Sequence, residues 1–336
     1  MTTGTNRMLH WSAPWMTVAT PGSGVSIANR RYGRKTVGTT LILSILLPLS
    51  SKGASVIFET TSPYHHIRVV DDKEIRTLCF DDGQETRMSL RNPLAGHFEY
   101  TEYFHMAWLW NTNITSALMI GLGGGSTQRS FEHYYPGVTV DSVEIDPSVE
   151  QVAHAYFGYE ESERQRIHVE DGRLFLRRNT AHYDLLILDA YVQGRYGASI
   201  PQHLATKEFF ELARDHLTTN GVLAYNVIGT LTSWRAGIVG ALYRTLKSVF
   251  PQVYIFPAET SLNVVLVATK AGIQANANTL RPRAILLTQT KRIALPAFLT
   301  RLERIQTFPP ASAASSPVLT DDYAPVEGLA ASAGQN

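Results

Sequence analysis

Three acidic residues each come at the end of a predicted strand or just after it. They are Glu144, Asp171 and Asp189. If these strands are parallel, their carboxyl ends meet at one edge of a sheet, where ligands of such sheets bind. A carboxylate at that edge accepts hydrogen bonds from the hydroxyl groups of a ribose or from an adenine amino group. The spacing predicts that Glu144 holds a ribose and that Asp171, beside Gly172, holds an adenine.

A glycine-rich loop precedes all three acids. Residues 121–126 read Gly-Leu-Gly-Gly-Gly-Ser, directly after the apolar run 117–120 and before a helical pattern. Gly121, Gly123 and Gly125 allow the backbone to approach a ligand closely, and the start of the helix adds N–H donors. No Gly-Lys-Ser/Thr follows, which disfavours a phosphate-binding P-loop. We expect an adenosine-containing ligand; the alternative is a tight turn with two helix-capping carboxylates.

The elements that must position these residues alternate between strand and helix from about residue 115 to 270. Alternation over this length predicts an α/β fold with a mostly parallel sheet covered on both faces. Short β-branched runs separated by Asp-rich turns predict a small β-rich domain before it. The expected divisions are a leader over 1–55, the small β-domain over 56–110, the ligand-binding domain over 111–270, and a helical segment, linker and loop over 271–336.

The first 55 residues differ from the rest. Residues 1–36 show no hydrophobic period and read as disordered. A basic cluster then precedes the apolar run 37–49, which has the length of a signal-peptide core and could also anchor the chain at a membrane. The other interpretation is a short buried helix or strand. The sequence leaves open a cytoplasmic protein, a membrane-anchored one on the cytoplasmic side, and an exported one.

The composition excludes several classes of function. The chain has 336 residues, 44% hydrophobic and 18% charged, which is ordinary globular composition. Thirty Lys and Arg against 29 Asp and Glu give a net charge of +1, so no overall basic field would hold a nucleic acid. The single Cys79 excludes an internal disulfide and a cysteine-based zinc site. No histidine spacing indicates a metal site, and we expect none.

Several motifs together resemble the spermidine synthase (polyamine aminopropyltransferase) family. The resemblance spans about Tyr64 to Thr269 and includes a Tyr-His stretch at 64–65 and a second aromatic stretch ending at His105. Beyond that span, an acidic loop at 319–327 is similar to a C-terminal signature of divergent members. The motifs that carry it most clearly are MIGLGGGS at 119–126, VEIDPSV at 143–149, EDGRLFL at 170–176, YDLLILDAY at 183–191 and LATKEFFELARDHLTTNGVLAYN at 204–226.

The resemblance implies a class I methyltransferase-like (Rossmann-like) fold and an aminopropyltransferase. It also implies that Asp189 is the catalytic carboxylate. Three positions depart from the family pattern: Gly124 stands where the glycine loop usually has Asp, Val192 where the catalytic segment has a second Asp, and His65 where the N-terminal motif has Gln. Two of these departures remove carboxylates expected near a cationic substrate.

The chemistry explains why acids are needed. In aminopropyl transfer, an amine attacks the carbon beside the sulfonium of decarboxylated S-adenosylmethionine, and the free amine arrives protonated because its pKa is near ~10. Asp189 would attract the ammonium and accept its proton. The hydroxyl of Tyr191 would orient the Asp189 carboxylate. The second ammonium of a diamine such as putrescine needs another acid. The candidates are Glu99, Glu102 and, preferably, Asp321 and Asp322 on a loop that folds back over the site. The expected substrate contacts are His65, Gln84, His105, Asp321 and Asp322.

Two other functions stay open from sequence alone. One is an S-adenosylmethionine-dependent methyltransferase, favoured by the missing acid at Gly124, and the other is a non-catalytic nucleoside-binding homologue. For the leading interpretation, the nucleoside donor is a co-substrate and no tightly bound cofactor is expected. Partners would be the diamine and the donor, with no nucleic acid. Membrane association would depend on residues 37–49, and the family resemblance implies a homo-oligomer.

Overall fold

The computed structural model describes residues 53–194 and 197–331. The proposed targeting or anchoring segment at 37–49 lies outside these residues. Within the described part, no helix combines the length and the apolar character needed to cross a bilayer.

A seven-stranded sheet forms the centre of the molecule, with the strand order β12-β13-β11-β8-β5-β6-β7. Strands β11, β8, β5, β6 and β7 are parallel, and β13 and β12 add an antiparallel hairpin at one edge. The strands are β5 (Ser116–Ile120), β6 (Thr139–Glu144), β7 (Gln165–Val169), β8 (Tyr183–Leu188), β11 (Leu217–Ile228), β12 (Gln252–Pro257) and β13 (Asn263–Thr269). The predicted mostly parallel sheet is confirmed.

Helices cover both faces of this sheet, and each face has its own buried apolar cluster. Local signals set several helix starts: Asp146 and Thr206 cap α2 and α4, and Pro147 takes the first position of α2. The helices are α1 (Ser126–Tyr134), α2 (Pro147–Phe157), α3 (Gly172–Arg178), α4 (Lys207–Asp215), α5 (Ala236–Val249), α6 (Ala277–Gln289), α7 (Phe298–Leu302) and α8 (Val326–Ala331).

A second sheet of four antiparallel strands precedes the central one. Its strands run in sequence order: β1 (Ser55–Thr61), β2 (His66–Asp72), β3 (Ile75–Phe80) and β4 (Gly83–Ser89). Apolar side chains such as Ile67, Val69 and Leu78 are fully buried against α2 and the glycine loop. The small sheet is therefore packed over the carboxyl ends of the parallel strands, where it can form one wall of a site.

The segment between the two sheets contains a 3₁₀ helix over Glu99–Leu109. Most of its side chains join the buried cluster on one face of the central sheet. At the other face, a 3₁₀ turn over Ala311–Ala314 packs against α5. A two-stranded ribbon, β9 (Val192–Gly194) and β10 (Gly197–Ser199), follows β8.

Strand β5 is followed in space by β6 and β7 on one side and by β8 and β11 on the other. The chain runs from β5 out to β7 and then crosses back to β8 on the other side of β5. The strand order therefore switches at the gap between β5 and β8. Crevices at such reversal points are the usual ligand sites of doubly wound sheets. The glycine loop leaves β5 and Asp189 leaves β8 at this point.

Candidate functional site

A cavity of about 970 Å³, including its mouth, opens at this reversal point. We call it the switch-point cavity. Strand ends of the central sheet form its floor, and the end of β3 and start of β4 form part of its wall. The predicted site residues that line it are His65, Gly121, Gly123, Glu144, Asp171, Gly172, Asp189 and Tyr191. The structure therefore brings most of the predicted nucleoside-binding and catalytic residues into one space, while Gly125 lies beside it at the start of α1.

The glycine loop approaches the end of β8 closely at Gly121. Its φ is +103°, and a Cβ atom at this position would lie 2.1 Å from the carbonyl oxygen of Asp189. Only glycine combines that backbone conformation with that contact. The loop and the Asp189 backbone are thereby locked together, and Asp189 N also donates to Ile120 O at 2.9 Å.

Glu144 is buried at the end of β6 and faces the glycine loop. Its carboxylate accepts hydrogen bonds from the backbone N–H groups of Leu122 and Asp146, both at 3.0 Å. Burial raises the pKa of Glu144 to about 7, and the hydrogen bonds oppose that rise. The carboxylate thus ties the loop to β6 and lines the cavity where a ribose is expected.

Asp171 caps α3 and lines the cavity at the same time. One carboxylate oxygen accepts from Leu174 N at 2.9 Å, and the other lies 2.7 Å from His203 Nε2. The hydrogen bond with His203 lowers the pKa of Asp171. The helix-cap interpretation is therefore correct for this residue, and it coexists with a position suited to ligand binding.

Asp189 is held by two side chains that the sequence did not single out. Tyr100 OH donates to Oδ2 at 3.1 Å, and Asn226 Nδ2 donates to Oδ1 at 2.8 Å. Burial raises the pKa of Asp189 to about 6, although both hydrogen bonds act in the opposite direction. The sequence did place Asn226 at the end of a motif and of a strand, whereas nothing distinguished Tyr100 from its aromatic neighbours.

Tyr191 lines the cavity, but its hydroxyl does not orient Asp189. It donates instead to the backbone oxygen of Asn226 at 2.7 Å. The orienting hydroxyl is that of Tyr100, which reaches the carboxylate from the 3₁₀ helix. The expected role is thus filled by a different tyrosine, because residues distant in sequence converge at this strand end.

Glu85 is a second cavity acid that sequence reasoning missed. It lines the switch-point cavity and also a second, adjoining space. Its neighbour Gln84, predicted as a substrate contact, is exposed and lines only that second space. Burial, followed by the charges of Asp189 and Asp81, raises the pKa of Glu85 to about 7.

The two predicted histidines have different positions. His65 lines the cavity and stacks on Phe80, with ring centroids 4.3 Å apart, and burial lowers its pKa. His105 lies in the aromatic cluster on the sheet face, where its Nδ1 is 2.5 Å from Tyr135 OH. Burial lowers the pKa of His105 to about 3, which keeps it neutral. The structure does not bring His105 to the cavity.

Asp321 and Asp322 also lie away from the cavity lining. The Asp321 carboxylate accepts two hydrogen bonds from Arg173, at 2.7 and 2.6 Å, and one from Thr206 Oγ1 at 2.7 Å. Asp322 is exposed. The expected fold-back of this loop over the substrate does not occur in this structure, because Asp321 anchors the loop to α3 and to the start of α4.

The other acids proposed for a distal ammonium, Glu99 and Glu102, are occupied as well. Arg301 Nη1 lies 2.9 Å from Glu99 and its Nε lies 2.7 Å from Glu102. Glu99 also accepts from the backbone of Glu259 and Thr260. Both acids therefore fix the 3₁₀ helix to neighbouring segments and do not line the cavity.

A second space, the side cavity, adjoins the first. It is lined by polar groups from the sheet edge and by residues of β4 and the start of α5. Its charged lining residues within the described ranges are Asp82, Glu85 and Arg235. Four residues line both cavities: Glu85, Phe98, Tyr100 and Tyr191.

The switch-point cavity is strongly acidic. Among residues 53–194 and 197–331, five carboxylates and no Lys or Arg line it. The five are Glu85, Glu144, Glu170, Asp171 and Asp189. This set of acids favours a cationic ligand.

Outside the cavity, Glu150, His154 and Glu161 each place a ligand atom within 4.8 Å of the others, an arrangement that surface acids often adopt without a metal.

Comparison with known proteins places the chain in a family. Residues 97–261 match the family model for the spermine/spermidine synthase domain. The chain is 31% identical to the polyamine aminopropyltransferase of Vibrio vulnificus over 264 residues, which cover 73% of this chain and 85% of the relative.

Two further likenesses concern the fold and a neighbouring class of enzyme. A crystal structure of a probable spermidine synthase from Corynebacterium glutamicum has a TM-score of 0.62 at 19% identity, covering 80% of this chain and 97% of that one. The eEF1A lysine and N-terminal methyltransferase of Xenopus laevis is 32% identical over 157 residues, which are 45% of this chain and 22% of the relative. The chain is a divergent member of the spermine/spermidine synthase family of transferases, with the family's methyltransferase-like fold.

Proposed function

We propose that the protein transfers an aminopropyl group from decarboxylated S-adenosylmethionine to a diamine such as putrescine, forming spermidine and 5′-methylthioadenosine. The observation that carries the proposal is the composition of the switch-point cavity, whose described lining has five carboxyl groups and no Lys or Arg. The decarboxylated donor is a cation at its sulfonium and at its terminal amine. An intact donor would add a carboxylate to this acidic space without a cationic partner.

The reaction would use Asp189 as the base. The acceptor enters as an ammonium and gives one proton to a carboxylate oxygen of Asp189. The freed nitrogen lone pair then forms a bond to the methylene carbon beside the sulfonium, while the carbon–sulfur bond breaks and its electrons remain on sulfur. The products are a neutral thioether and a secondary ammonium. Tyr100 and Asn226, which hold the carboxylate by hydrogen bonds, would fix its orientation for proton uptake.

Glu144, Asp171 and the glycine loop would bind the nucleoside. Glu144 accepts a hydrogen bond from Leu122 of the loop and lines the cavity, which suits it to bind ribose hydroxyls. Asp171 and Gly172, which follow β7, line the same cavity and suit an adenine edge. The donor is a co-substrate that leaves as 5′-methylthioadenosine.

A methyltransferase is the second candidate, and one observation favours it. Gly124 supplies no acid at the glycine loop, so this position would not repel the carboxylate of intact S-adenosylmethionine. The acids at Glu85 and Asp189 argue against this alternative, since both face the space where the donor's variable group would extend.

Donor choice tests the proposal. The purified protein is incubated with putrescine and either decarboxylated or intact S-adenosylmethionine, and 5′-methylthioadenosine, S-adenosylhomocysteine and spermidine are measured. We expect 5′-methylthioadenosine and spermidine with the decarboxylated donor alone. Tighter binding of the intact donor would favour a methyltransferase, and binding without turnover of any amine would favour a non-catalytic homologue.

A further inference from the structure

The four residues shared by the two cavities form a junction between them. Glu85 contributes a carboxylate to this junction, and Phe98, Tyr100 and Tyr191 contribute aromatic rings. A nucleophile that approaches a nucleoside in the switch-point cavity from the side cavity must pass these residues. An acid among aromatic rings is well suited to hold an ammonium group, because ring faces attract cations and the carboxylate neutralises the charge.

The Glu85 carboxylate differs from the other acids of the switch-point cavity. Glu144, Asp171 and Asp189 each accept hydrogen bonds, and Glu170 lies 3.4 Å from Arg178. Within residues 53–194 and 197–331, no donor or cation contacts the Glu85 carboxylate. A partly buried carboxylate without a partner costs free energy unless it is protonated or a ligand supplies the partner.

The interaction between Glu85 and Asp189 indicates the charge of that ligand. Their negative charges repel each other within the same cavity, which contributes to the raised pKa of Glu85. A cation between them removes this repulsion and lets both groups ionise. The side chain of Val192, where the family has a second acid, lines the cavity and offers no charge. Glu85, on β4 of the small sheet, instead supplies an acid that interacts with Asp189 in this cavity.

We propose that Glu85 binds the reacting ammonium of the acceptor amine at the junction and presents it to Asp189. This inference deepens the proposed function and rests on it. Glu85 forms the ion pair with the incoming ammonium, and Asp189 takes the proton from it before the nitrogen attacks the donor carbon. Because Glu85 lines both cavities, it faces the acceptor's path, and we assign it to the acceptor and not to the donor's own terminal amine.

The test compares amine and nucleoside binding in the full chain and in Glu85→Gln. This substitution keeps the side chain's size and removes its charge. Calorimetry gives the Kd of 5′-methylthioadenosine, and then the Kd of putrescine for protein saturated with that nucleoside. We expect Glu85→Gln to raise the Kd and KM of putrescine at least tenfold, with the Kd of 5′-methylthioadenosine and the KM of the decarboxylated donor within twofold of wild type. The matched control is Glu74→Gln, which removes an exposed acid from the same small sheet and should change neither value.

Each outcome is decisive. Unchanged putrescine binding in Glu85→Gln would overturn the inference and leave the proposed function intact. An equal loss of nucleoside or donor binding would also overturn it, because Glu85 would then shape the nucleoside site. If the wild type binds 5′-methylthioadenosine but no amine, the proposed function itself fails.

A measurement on the wild type keeps the inference testable if the variant folds poorly. Putrescine binding at pH 6–7, measured in buffers of different ionisation enthalpy, should release a proton as the pair of acids becomes fully ionised. Proton release that is absent in the wild type would contradict the assignment.

Discussion

At the scale of single residues, the site depends on how Asp189 is held. The carboxylate is buried, yet two neutral donors, Tyr100 and Asn226, stabilise its ionised form. Neither donor is a charged group that would neutralise it. Asp189 therefore keeps enough basicity to take a proton and enough negative charge to attract a cation.

Replacement of Asp189 by Asn should abolish most turnover. The amide keeps the size of the side chain but cannot accept a proton, and loss of a general base typically costs about 10²–10⁴-fold in rate. We expect the rate of 5′-methylthioadenosine formation to fall by at least ~100-fold, with nucleoside affinity within about threefold of wild type. Asp215→Asn, at an exposed acid on α4, is the control. Unimpaired turnover would rule out Asp189 as the base.

The two raised pKa values predict a rising pH–rate profile. Asp189 with a pKa of about 6 and Glu85 with a pKa of about 7 act only when ionised. We expect kcat/KM to rise between pH 5 and 8 as both lose their protons, and the rise should be less steep in Glu85→Gln. A profile that is flat or falling over this range would contradict these roles.

The raised pKa values of Asp189 and Glu85 also make the stability of the ligand-free protein depend on pH. Stability should fall as pH rises, whereas activity should increase. A carboxyl whose pKa is higher in the folded state binds more protons there than in the unfolded state, so its contribution to stability falls as pH rises. For Glu85 this fall runs from about pH 4.5 to 7. The Tm of Glu85→Gln relative to wild type should therefore increase between pH 5 and 8, by a few degrees, in the absence of ligand.

At the scale of elements, the small sheet and the glycine loop depend on each other. Gly124 N donates to Thr86 Oγ1 at 2.8 Å, so β4 holds the loop that follows β5. A Cβ atom at Gly124 would lie 2.8 Å from the Thr86 methyl carbon and 2.9 Å from the Phe157 ring. Packing thus accounts for the absence of an acid at Gly124, because β4 and α2 occupy the space that a side chain would need.

Restoring the family's acid at this position should therefore be harmful. Gly124→Asp forces β4 or α2 to shift, and overpacking of this kind costs about 1–3 kcal/mol. We expect the Tm to fall by roughly 3–6 °C and nucleoside binding to weaken. Gly137→Asp, at an exposed glycine with no atom near its Cβ position, should leave both unchanged. A Gly124→Asp variant as stable as wild type with higher activity would refute this packing account.

The C-terminal loop is attached by an ion pair, and we predict that its role is structural. Removing the charge in Asp321→Asn weakens the two hydrogen bonds from Arg173, whose side chain is 10% exposed while that of Asp321 is 42% exposed. Because the pair is partly solvated, we expect a loss of about 1 kcal/mol of unfolding free energy. The KM for the amine should not change. Asp322→Asn is the matched control, and a tenfold higher KM in Asp321→Asn would instead support the substrate contact expected from sequence.

At the scale of the whole molecule, the alternation of strands and helices made the central sheet predictable. The central strands β5 and β8 contain continuous apolar runs, and the strand-end acids lie where parallel sheets bind ligands. The predicted division into four domains and the predicted homo-oligomer stay predictions. The acidic cavity contrasts with the chain's net charge of +1 and could not be inferred from composition.

The residues that sequence reasoning missed come from segments far apart in the chain. Tyr100, on a 3₁₀ helix without a clear period, reaches Asp189 across 89 positions of sequence. Glu85, on β4 of the small sheet, lines the cavity together with strand ends of the central sheet, while its neighbour Gln84 does not. Local patterns indicate which face of a strand is buried, but they do not show which other element covers that face.

The most direct test of the account is a crystal structure of the protein with 5′-methylthioadenosine. We predict that the ribose hydroxyls contact Glu144, that the adenine lies beside Asp171, and that the thioether sulfur faces Asp189 at the junction of the two cavities. A nucleoside bound outside the switch-point cavity, or one whose sulfur points away from Asp189, would contradict the proposed function.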